Sequence, residues 1–154
     1  MILTRPAIAD DRAFIVSGWS ASYRASRDVA LIPMRLYAAT YRPVISEHVD
    51  RSRVLVAHGE AGVLFGFIAY DHTVYVATID DERVTLDGYV LYVYVASPFR
   101  RRGIARRLFT AAGISPTQRF GYACRTRWSW ELRPKIPLAE YEPNRARHEE
   151  TTHV

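Results

Sequence analysis

The chain has 154 residues, of which 49% are hydrophobic and 24% are charged, and its formal net charge is +5. This length and composition indicate one globular domain over residues 1–154 and argue against disorder except at the ends, where residues 142–154 are expected to form a disordered tail. The single cysteine, Cys124, excludes an intrachain disulfide and a cysteine metal cluster. There is no apolar leader, and no run approaches the roughly 18–20 apolar residues that span a bilayer, so we expect a cytoplasmic protein with no membrane partner.

Positive charge is concentrated in one stretch of the chain. Residues 1–99 carry 9 basic and 11 acidic side chains, whereas residues 100–135 carry 10 basic and 1 acidic. Arginine-rich codon use in a GC-rich genome would explain the preference for arginine over lysine, but it does not explain this clustering. A field of this kind attracts polyanions.

The amino-terminal part of the sequence predicts a short strand over residues 3–6 and two helices. The first helix follows Asp10 or Asp11, either of which can cap it by accepting hydrogen bonds from free N–H groups. The second helix begins at Pro33, because the fixed φ of proline suits a first turn. Pro43 is expected to kink or end this helix, with a separate helical piece over residues 44–49.

The strand signals begin after residue 50. Residues 53–57 and 63–70 are apolar and β-branched, and the Gly59–Gly62 segment between them predicts a hairpin. A further strand is expected over residues 74–79, ended by Asp80, Asp81 and Glu82.

The next strand, residues 89–95, is apolar on both faces and therefore belongs in the middle of a sheet. The helix over residues 103–112 places Ile104, Leu108 and Ala111 on one face and ends at Gly113. Residues 120–126 form the last predicted strand, and the segment from residue 127 onward stays unassigned.

The most informative segment joins the central strand to the helix after it. From Val95 to Leu108 it reads Val-Ala-Ser-Pro-Phe-Arg-Arg-Arg-Gly-Ile-Ala-Arg-Arg-Leu. The first N–H groups of a helix lack partners within the helix and lie at the positive end of its dipole. Gly103 and Ala105 let a ligand approach that backbone closely, and the neighbouring arginines add charge. The segment therefore predicts a diphosphate site.

At these residues the sequence resembles the GNAT superfamily of N-acyltransferases, whose signature is Arg/Gln-x-x-Gly-x-Gly/Ala. Arg100, Gly103 and Ala105 fill its three fixed positions, and the likeness extends more loosely over residues 1–126. The resemblance implies an α/β (α+β mixed sheet) fold of the acyl-CoA N-acyltransferase type. In that fold, strands 89–95 and 120–126 are parallel central strands that splay apart, and the helix crosses between them.

The resemblance also implies acetyl-CoA, or another acyl-CoA, as the cofactor. Its pyrophosphate would lie on the N–H groups of the helix start, and its pantetheine arm would pair with the backbone of the central strand. The expected cofactor-binding residues are Val93, Val95, Arg100, Arg101, Arg102, Gly103, Ile104, Ala105 and Arg106.

The basic loop has two other interpretations. In the simpler interpretation, the loop is a solvated basic turn. A dinucleotide site would instead require Gly-x-Gly-x-x-Gly directly after the strand and an acidic residue about 20 positions later. The sequence has neither, and it also lacks the lysine and Ser/Thr pair of a P-loop. The five histidines show no ligand spacing, so no metal is expected.

The acid and base usual in the superfamily do not transfer to this chain. Many members carry a glutamate six residues before the position of Val95, where this chain has Tyr89. They also carry an asparagine and then a tyrosine after the next strand, and residues 127–137 contain neither. By chemistry, Glu131 is the candidate base, although a surface salt bridge to Arg127 or Lys135 is the simpler explanation for it. The candidate proton donors to the thiolate are Tyr141 and Tyr122.

Three functions stay open at this point. The first is an N-acyltransferase acting on a small-molecule or protein amine. The second is modification of nucleic acid, because the arginine-rich loop and the Trp128-x-Trp130 pair are loosely similar to phage-type GNAT proteins, including the Mom family of DNA-modifying proteins. The third is a non-catalytic module that binds acyl-CoA, which the missing acid and base keep open.

Overall fold

The computed structural model describes residues 1–72, 74–79, 81–115, 117–123 and 139–141. Residues 139–141 are described by their backbone alone. The described helices are α1 (Arg12–Arg24), α2 (Met34–Arg51) and α3 (Ile104–Ala111), with short 3-10 turns at Ala9–Asp11 and Ser97–Phe99. The described strands are β1 (Leu3–Pro6), β2 (Arg53–His58), β3 (Leu64–Asp71), β4 (Tyr75–Ile79), β5 (Glu82–Leu86), β6 (Tyr89–Val95), β7 (Phe120–Tyr122) and β8 (Ala139–Tyr141). No helix among these residues is long and apolar enough to cross a bilayer.

The described strands form a mixed sheet in the order β1-β2-β3-β6-β7-β8, and β4 and β5 form a separate hairpin. The pairs from β1 to β6 are antiparallel, whereas β6 pairs with β7, and β7 with β8, in parallel. The central place of β6, predicted from its two apolar faces, is confirmed. So is its parallel alignment with the strand after α3, which a strand–helix–strand crossover requires.

Helices cover both faces of this sheet. On one face, Ile104 and Leu108 of α3 pack against Ile68 of β3 and Val90 of β6. The opposite face is covered by α1 and α2, whose Ile15, Trp19 and Ile45 pack against Phe67 and Tyr92. Strand β6 therefore has buried neighbours on both sides.

A β-bulge interrupts the pairing of β3 with β6. Ala69 lies opposite Tyr92 and Tyr70 lies opposite Val90, so Leu91 is an extra residue on β6. The bulge reverses which residues face each way along the strand. Val90 before it and Val93 after it both pack on the α3 side, although three positions separate them. Such bulges bend a strand and redirect its side chains.

Strand β7 pairs with β6 only near the beginning of β6. The register joins Tyr89 to Gly121 and Val90 to Tyr122, and the N–H of Ala123 donates to the carbonyl of Val90 at 3.0 Å. Within the described residues, the pairing ends there, although β6 continues to Val95. This is the arrangement expected of parallel strands that part towards their carboxyl ends.

Two expectations about the helices need correction. The Asp11 side chain does not cap α1. It accepts hydrogen bonds from Nη1 and Nη2 of Arg5, at 2.6 and 3.0 Å, and from the Ile8 N–H at 2.9 Å. Pro43 does not end α2, which runs unbroken from Met34 to Arg51 and includes the segment predicted to be separate. Tyr37 and Ile45, both buried, anchor α2 on either side of the proline. Their packing offsets the hydrogen bond that proline removes.

The sequence prediction also missed β5. Asp81, which has a φ of 65°, directly precedes this strand, and Glu82–Leu86 pairs antiparallel with β4. In α3 the expected face is right for Ile104 and Leu108 but wrong for Ala111, which is exposed, while Ala112 is buried. The predicted stop at Gly113 is confirmed by its φ of 69°. The expected strand over 120–126 is described only to residue 123.

Candidate functional site

The loop between β6 and α3 is anchored to the sheet by an aromatic contact. The ring of Phe99, in the 3-10 turn, lies with its centroid 4.4 Å from that of Phe65 on β3. After this turn the chain passes through Arg100, Arg101 and Arg102 and enters α3 at Gly103. The carboxyl end of the central strand and the amino end of α3 therefore meet at one edge of the molecule.

Two residues of this loop have a left-handed backbone. Arg101 has a φ of 63° and Gly103 a φ of 75°. Glycine adopts this conformation freely, but for an arginine it costs roughly 1–2 kcal/mol. Gly103 is left-handed and Ile104 begins the right-handed helix, and two successive residues of opposite hand turn their N–H groups into a shared concavity that suits an anion. Sequence reasoning identified Gly103 but gave no sign of the strained Arg101.

The N–H groups of this concavity are available. The first hydrogen bond of α3 runs from the Arg107 N–H to the Gly103 carbonyl, at 3.1 Å. Among the described residues, no group accepts a hydrogen bond from the N–H groups of residues 101–106. A Cβ built on Gly103 meets no atom of the described residues within 4 Å, so the space beside Gly103 is open.

Two of the arginine side chains turn back onto the protein. Arg100 donates from Nε to the Val95 carbonyl at 3.0 Å, and the Arg102 guanidinium lies 5.9 Å from the ring centroid of Phe99. Arg101, Arg102, Arg106 and Arg107 are exposed. Within the described part of the chain, none of these four forms a salt bridge with an acidic residue. The predicted positive field is therefore present at the loop.

The backbone of β6 beyond the bulge faces the edge left open by β7. The Ala96 N–H donates to Phe65 of β3, at 2.8 Å. Because neighbouring residues of a strand point their backbone groups to opposite sides, Val95 and Val93 point away from β3. Their N–H and C=O groups lie along the open edge, next to the concavity, and Arg100 already occupies the Val95 carbonyl. The structure thus brings together all nine residues predicted to bind the cofactor.

The candidate catalytic residues are placed less completely. Tyr122 lies on β7 opposite Val90, where the pairing of β6 and β7 ends, and it is partly buried against the α3 side of the core. Tyr141 is the register partner of Tyr122 on β8, so the two residues are neighbours in the sheet. Glu131 lies outside the described residues, as does the expected tail over 142–154.

Two further observations concern metal-ligating side chains and the distribution of positive charge. The described residues contain no group of three or more histidine, cysteine or carboxylate side chains suited to a metal ion. Arg119, which precedes β7, is bonded through its carbonyl to the Asp87 N–H at the amino end of β6. It therefore lies at the opposite end of β6 from the basic loop, so the described positive charges of residues 100–119 do not form one cluster.

No protein-family model matches this sequence, and no curated protein sequence matches it. Solved structures do resemble it. A structure from Corynebacterium glutamicum, described as histone acetyltransferase HPA2 and related acetyltransferase, has a TM-score of 0.60 at 16% identity, over 87% of this chain and 83% of that one. A GCN5-related N-acetyltransferase from Ralstonia eutropha has a TM-score of 0.56 at 22% identity, over 88% of this chain and 91% of that one.

A third structure, the enzyme AAC(6')-Iy with a bisubstrate analog, CoA-S-monomethyl-acetylneamine, has a TM-score of 0.50 at 18% identity, over 92% of this chain and 93% of that one. At these identities the likeness concerns the fold. The chain has the fold of the GCN5-related N-acetyltransferases, as its signature residues predicted.

Proposed function

We propose that this protein is an acyl-CoA-dependent N-acyltransferase that moves an acetyl or related acyl group to an amine. The observation that supports this most strongly is the concavity at the start of α3, where no described residue accepts a hydrogen bond from the N–H groups of residues 101–106 and the space beside Gly103 is open. Such a site holds a pyrophosphate through charge-assisted hydrogen bonds. The Arg100 side chain would hold the loop in shape, since it is bonded to Val95.

The open edge of β6 would hold the rest of the cofactor. A pantetheine arm leaving the concavity would run along Val95 and Val93 and pair with their backbone groups as an added strand does. A strand rises about 3.3 Å per residue, so Val90 lies roughly 15 Å from Val95. The arm would therefore place its thioester between the levels of Val93 and Val90, before the point where β6 and β7 join.

The reaction at that point is acyl transfer. The thioester supplies an activated acyl carbon. The neutral amine attacks this carbon, the C–S bond breaks, the nitrogen loses a proton and the thiolate gains one. Tyr122 and Tyr141 are the candidate donors of that proton, because their strands lie side by side where the thioester is expected. Glu131 stays a candidate base on chemical grounds alone.

The structural neighbours support this proposal without deciding the substrate. They are acetyltransferases, and one was solved with an analog that joins CoA to an acetylated amine. The acceptor of the present chain does not follow from them.

The test has two parts. Calorimetric titration with acetyl-CoA should show saturable binding, and ATP, as a polyphosphate control, should bind at least tenfold more weakly. Incubation with acetyl-CoA and a panel of amines, read by product mass, should then show acylation. Equal binding of ATP would favour the solvated basic turn, and binding without transfer to any amine would favour a non-catalytic module.

Nucleic acid is a second candidate acceptor, favoured by one observation. Arg101, Arg102, Arg106 and Arg107 are exposed, and within the described residues they have no acidic partner, so they present more positive charge than a pyrophosphate requires. If they contact phosphates of a nucleic acid, binding should weaken steeply with salt as counterions are released. Gel-shift titrations of DNA and RNA at 50 and 200 mM salt with saturating CoA test this. Absent or salt-independent binding would leave the amine proposal alone.

A further inference from the structure

Two tyrosines stand on the same face of β6, after the bulge, and their hydroxyl groups differ. The Tyr92 hydroxyl lies 2.7 Å from Oγ of Ser22 on α1, and Ser22 Oγ lies 2.6 Å from the Gly18 carbonyl. A serine has one proton and a carbonyl only accepts. Ser22 therefore donates to Gly18, and Tyr92 donates to Ser22. The Tyr92 proton is engaged in fastening α1 to the sheet.

Tyr94, two residues further along β6, has no such partner. Its hydroxyl forms no hydrogen bond with any described residue. Tyr92 is only 3% exposed, but Tyr94 is half-buried, so solvent reaches its side chain. The same face of the strand thus carries one hydroxyl that has a structural role and one that none of the described residues uses.

The Tyr94 ring is nevertheless held in place. Its centroid lies 6.0 Å from that of Phe14 and 5.5 Å from that of Phe67, both in edge or tilted contacts. A Cβ built on Gly18 would lie only 2.8 Å from Cε1 of Tyr94. Glycine within a helix costs about 1 kcal/mol relative to alanine. Position 18 nevertheless has glycine because the Tyr94 ring occupies the space that a Cβ would need.

We propose that the Tyr94 hydroxyl binds the acceptor and selects amines that carry a hydrogen-bond-accepting oxygen near the amino group. This rests on the proposed function, in which the acyl-CoA arm lies along the backbone edge at Val93 and Val95. Tyr94 lies between Val93 and Val95 and is only half-buried on the face that α1 and α2 cover, so an acceptor held at that edge on this side would meet its side chain. A fixed ring with an unused donor is preorganised for such a contact, since binding then orders no side chain.

The test uses Tyr94→Phe, with Tyr92→Phe as the matched control, and a pair of acceptors: an amino alcohol and the alkylamine of equal length. Tyr94→Phe should raise the KM for the amino alcohol about tenfold, as expected for one lost hydrogen bond. The KM for the alkylamine, the KM for acetyl-CoA and the melting temperature should not change. Tyr92→Phe should lower the melting temperature and keep the preference for the amino alcohol.

Gly18→Ala offers a second route to the same result. Its methyl group should displace the Tyr94 ring and reduce the preference for the amino alcohol, although alanine favours the helix. Suppose that the protein acylates amines but that Tyr94→Phe leaves the preference for the amino alcohol unchanged, or raises both acceptor KM values equally. The inference about Tyr94 is then wrong, whereas the proposed function stands. If the unaltered protein acylates no amine, the proposed function fails and the inference fails with it.

Discussion

Nε of Arg100 donates a hydrogen bond to the carbonyl oxygen of Val95 across 3.0 Å, joining the two ends of the loop that follows β6. Arg100 is the first fixed position of the signature, and its side chain points to the strand. The available anion donors are instead the backbone N–H groups of residues 101–106. The arginine of this motif therefore shapes the loop, whereas the backbone of the loop would bind the ligand.

The first prediction concerns Arg100→Ala. Loss of one partly buried hydrogen bond should lower stability by about 1 kcal/mol, and acetyl-CoA affinity should fall by less than about tenfold, since the N–H donors stay. Calorimetric titration and thermal melting measure the two effects. Arg100→Lys keeps the charge but loses the guanidinium geometry, so it should resemble the alanine variant. A loss of affinity as large as that of a Gly103 variant would show that the side chain itself binds the phosphate.

The second prediction concerns the ion pair between β1 and the start of α1. Asp11 is only 4% exposed, and the hydrogen bonds from Arg5 hold the pKa of its carboxyl below the ordinary value. Because the pKa is lower in the folded state, the ionised carboxyl stabilises the fold at pH values above the unfolded pKa of about 3.9. This stabilisation is lost as the pH falls through the folded-state pKa. Asp11→Asn should therefore cost about 1–3 kcal/mol near neutral pH and flatten the acid limb of the stability curve.

Urea unfolding between pH 6 and pH 2.5 measures this effect. The control is Asp50→Asn, because Asp50 pairs with Arg12 at 2.9 Å, but the two side chains are 55% and 46% exposed. Solvent screens such a pair, so its removal should change stability little. Equal effects of the two substitutions would contradict the role given to Asp11.

The third prediction concerns Gly66 on β3. A Cβ at this position would overlap the carbonyl oxygen of Tyr94 and lie 3.1 Å from Cα of Val95. Gly66→Ala should therefore force β3 and β6 apart and cost about 2 kcal/mol or more. Gly62→Ala is the control, since its φ is 77° and no atom lies within 4 Å, so only backbone strain of about 1 kcal/mol is expected. Chemical denaturation that ranks the two variants in the opposite order would refute this account of the sheet.

The segment from β6 to α3 could be predicted from sequence because every local signal in it agrees. An apolar strand, a proline-containing loop, a glycine and an amphipathic helix follow one another, and each favours the same structure. Strand β5 was missed because its buried residues, Val84 and Leu86, are only two and lie among polar ones. The continuous α2 was missed because tertiary packing overrode the local effect of Pro43.

In the candidate site, too, some features could be predicted from the sequence and others could not. Gly103 and Ala105 are visible in the sequence because they are small residues at fixed spacing. Other features depend on how the loop closes over Phe65 and Phe99. These are the left-handed backbone of Arg101 and the hydrogen bond from Arg100 to Val95, and no pattern of residue types predicts them. The two tyrosines of β6 look equivalent in sequence, and only the position of Ser22 distinguishes them.

The central claim, that the backbone at Gly103 holds an acyl-CoA pyrophosphate, is tested most directly by calorimetric titration of acetyl-CoA against Gly103→Val. The valine disfavours the φ of 75° and puts a branched side chain into the open space beside Gly103, next to the N–H groups that would hold the pyrophosphate. Gly62→Val is the matched control, because it imposes the same strain, at a φ of 77°, away from the loop. Losing one to three charge-assisted hydrogen bonds of roughly 1.5–3 kcal/mol each should weaken binding by about a hundredfold or more in Gly103→Val. The control should bind like the parent. A parent that does not bind, or a Gly103→Val variant that binds equally well, would contradict the claim.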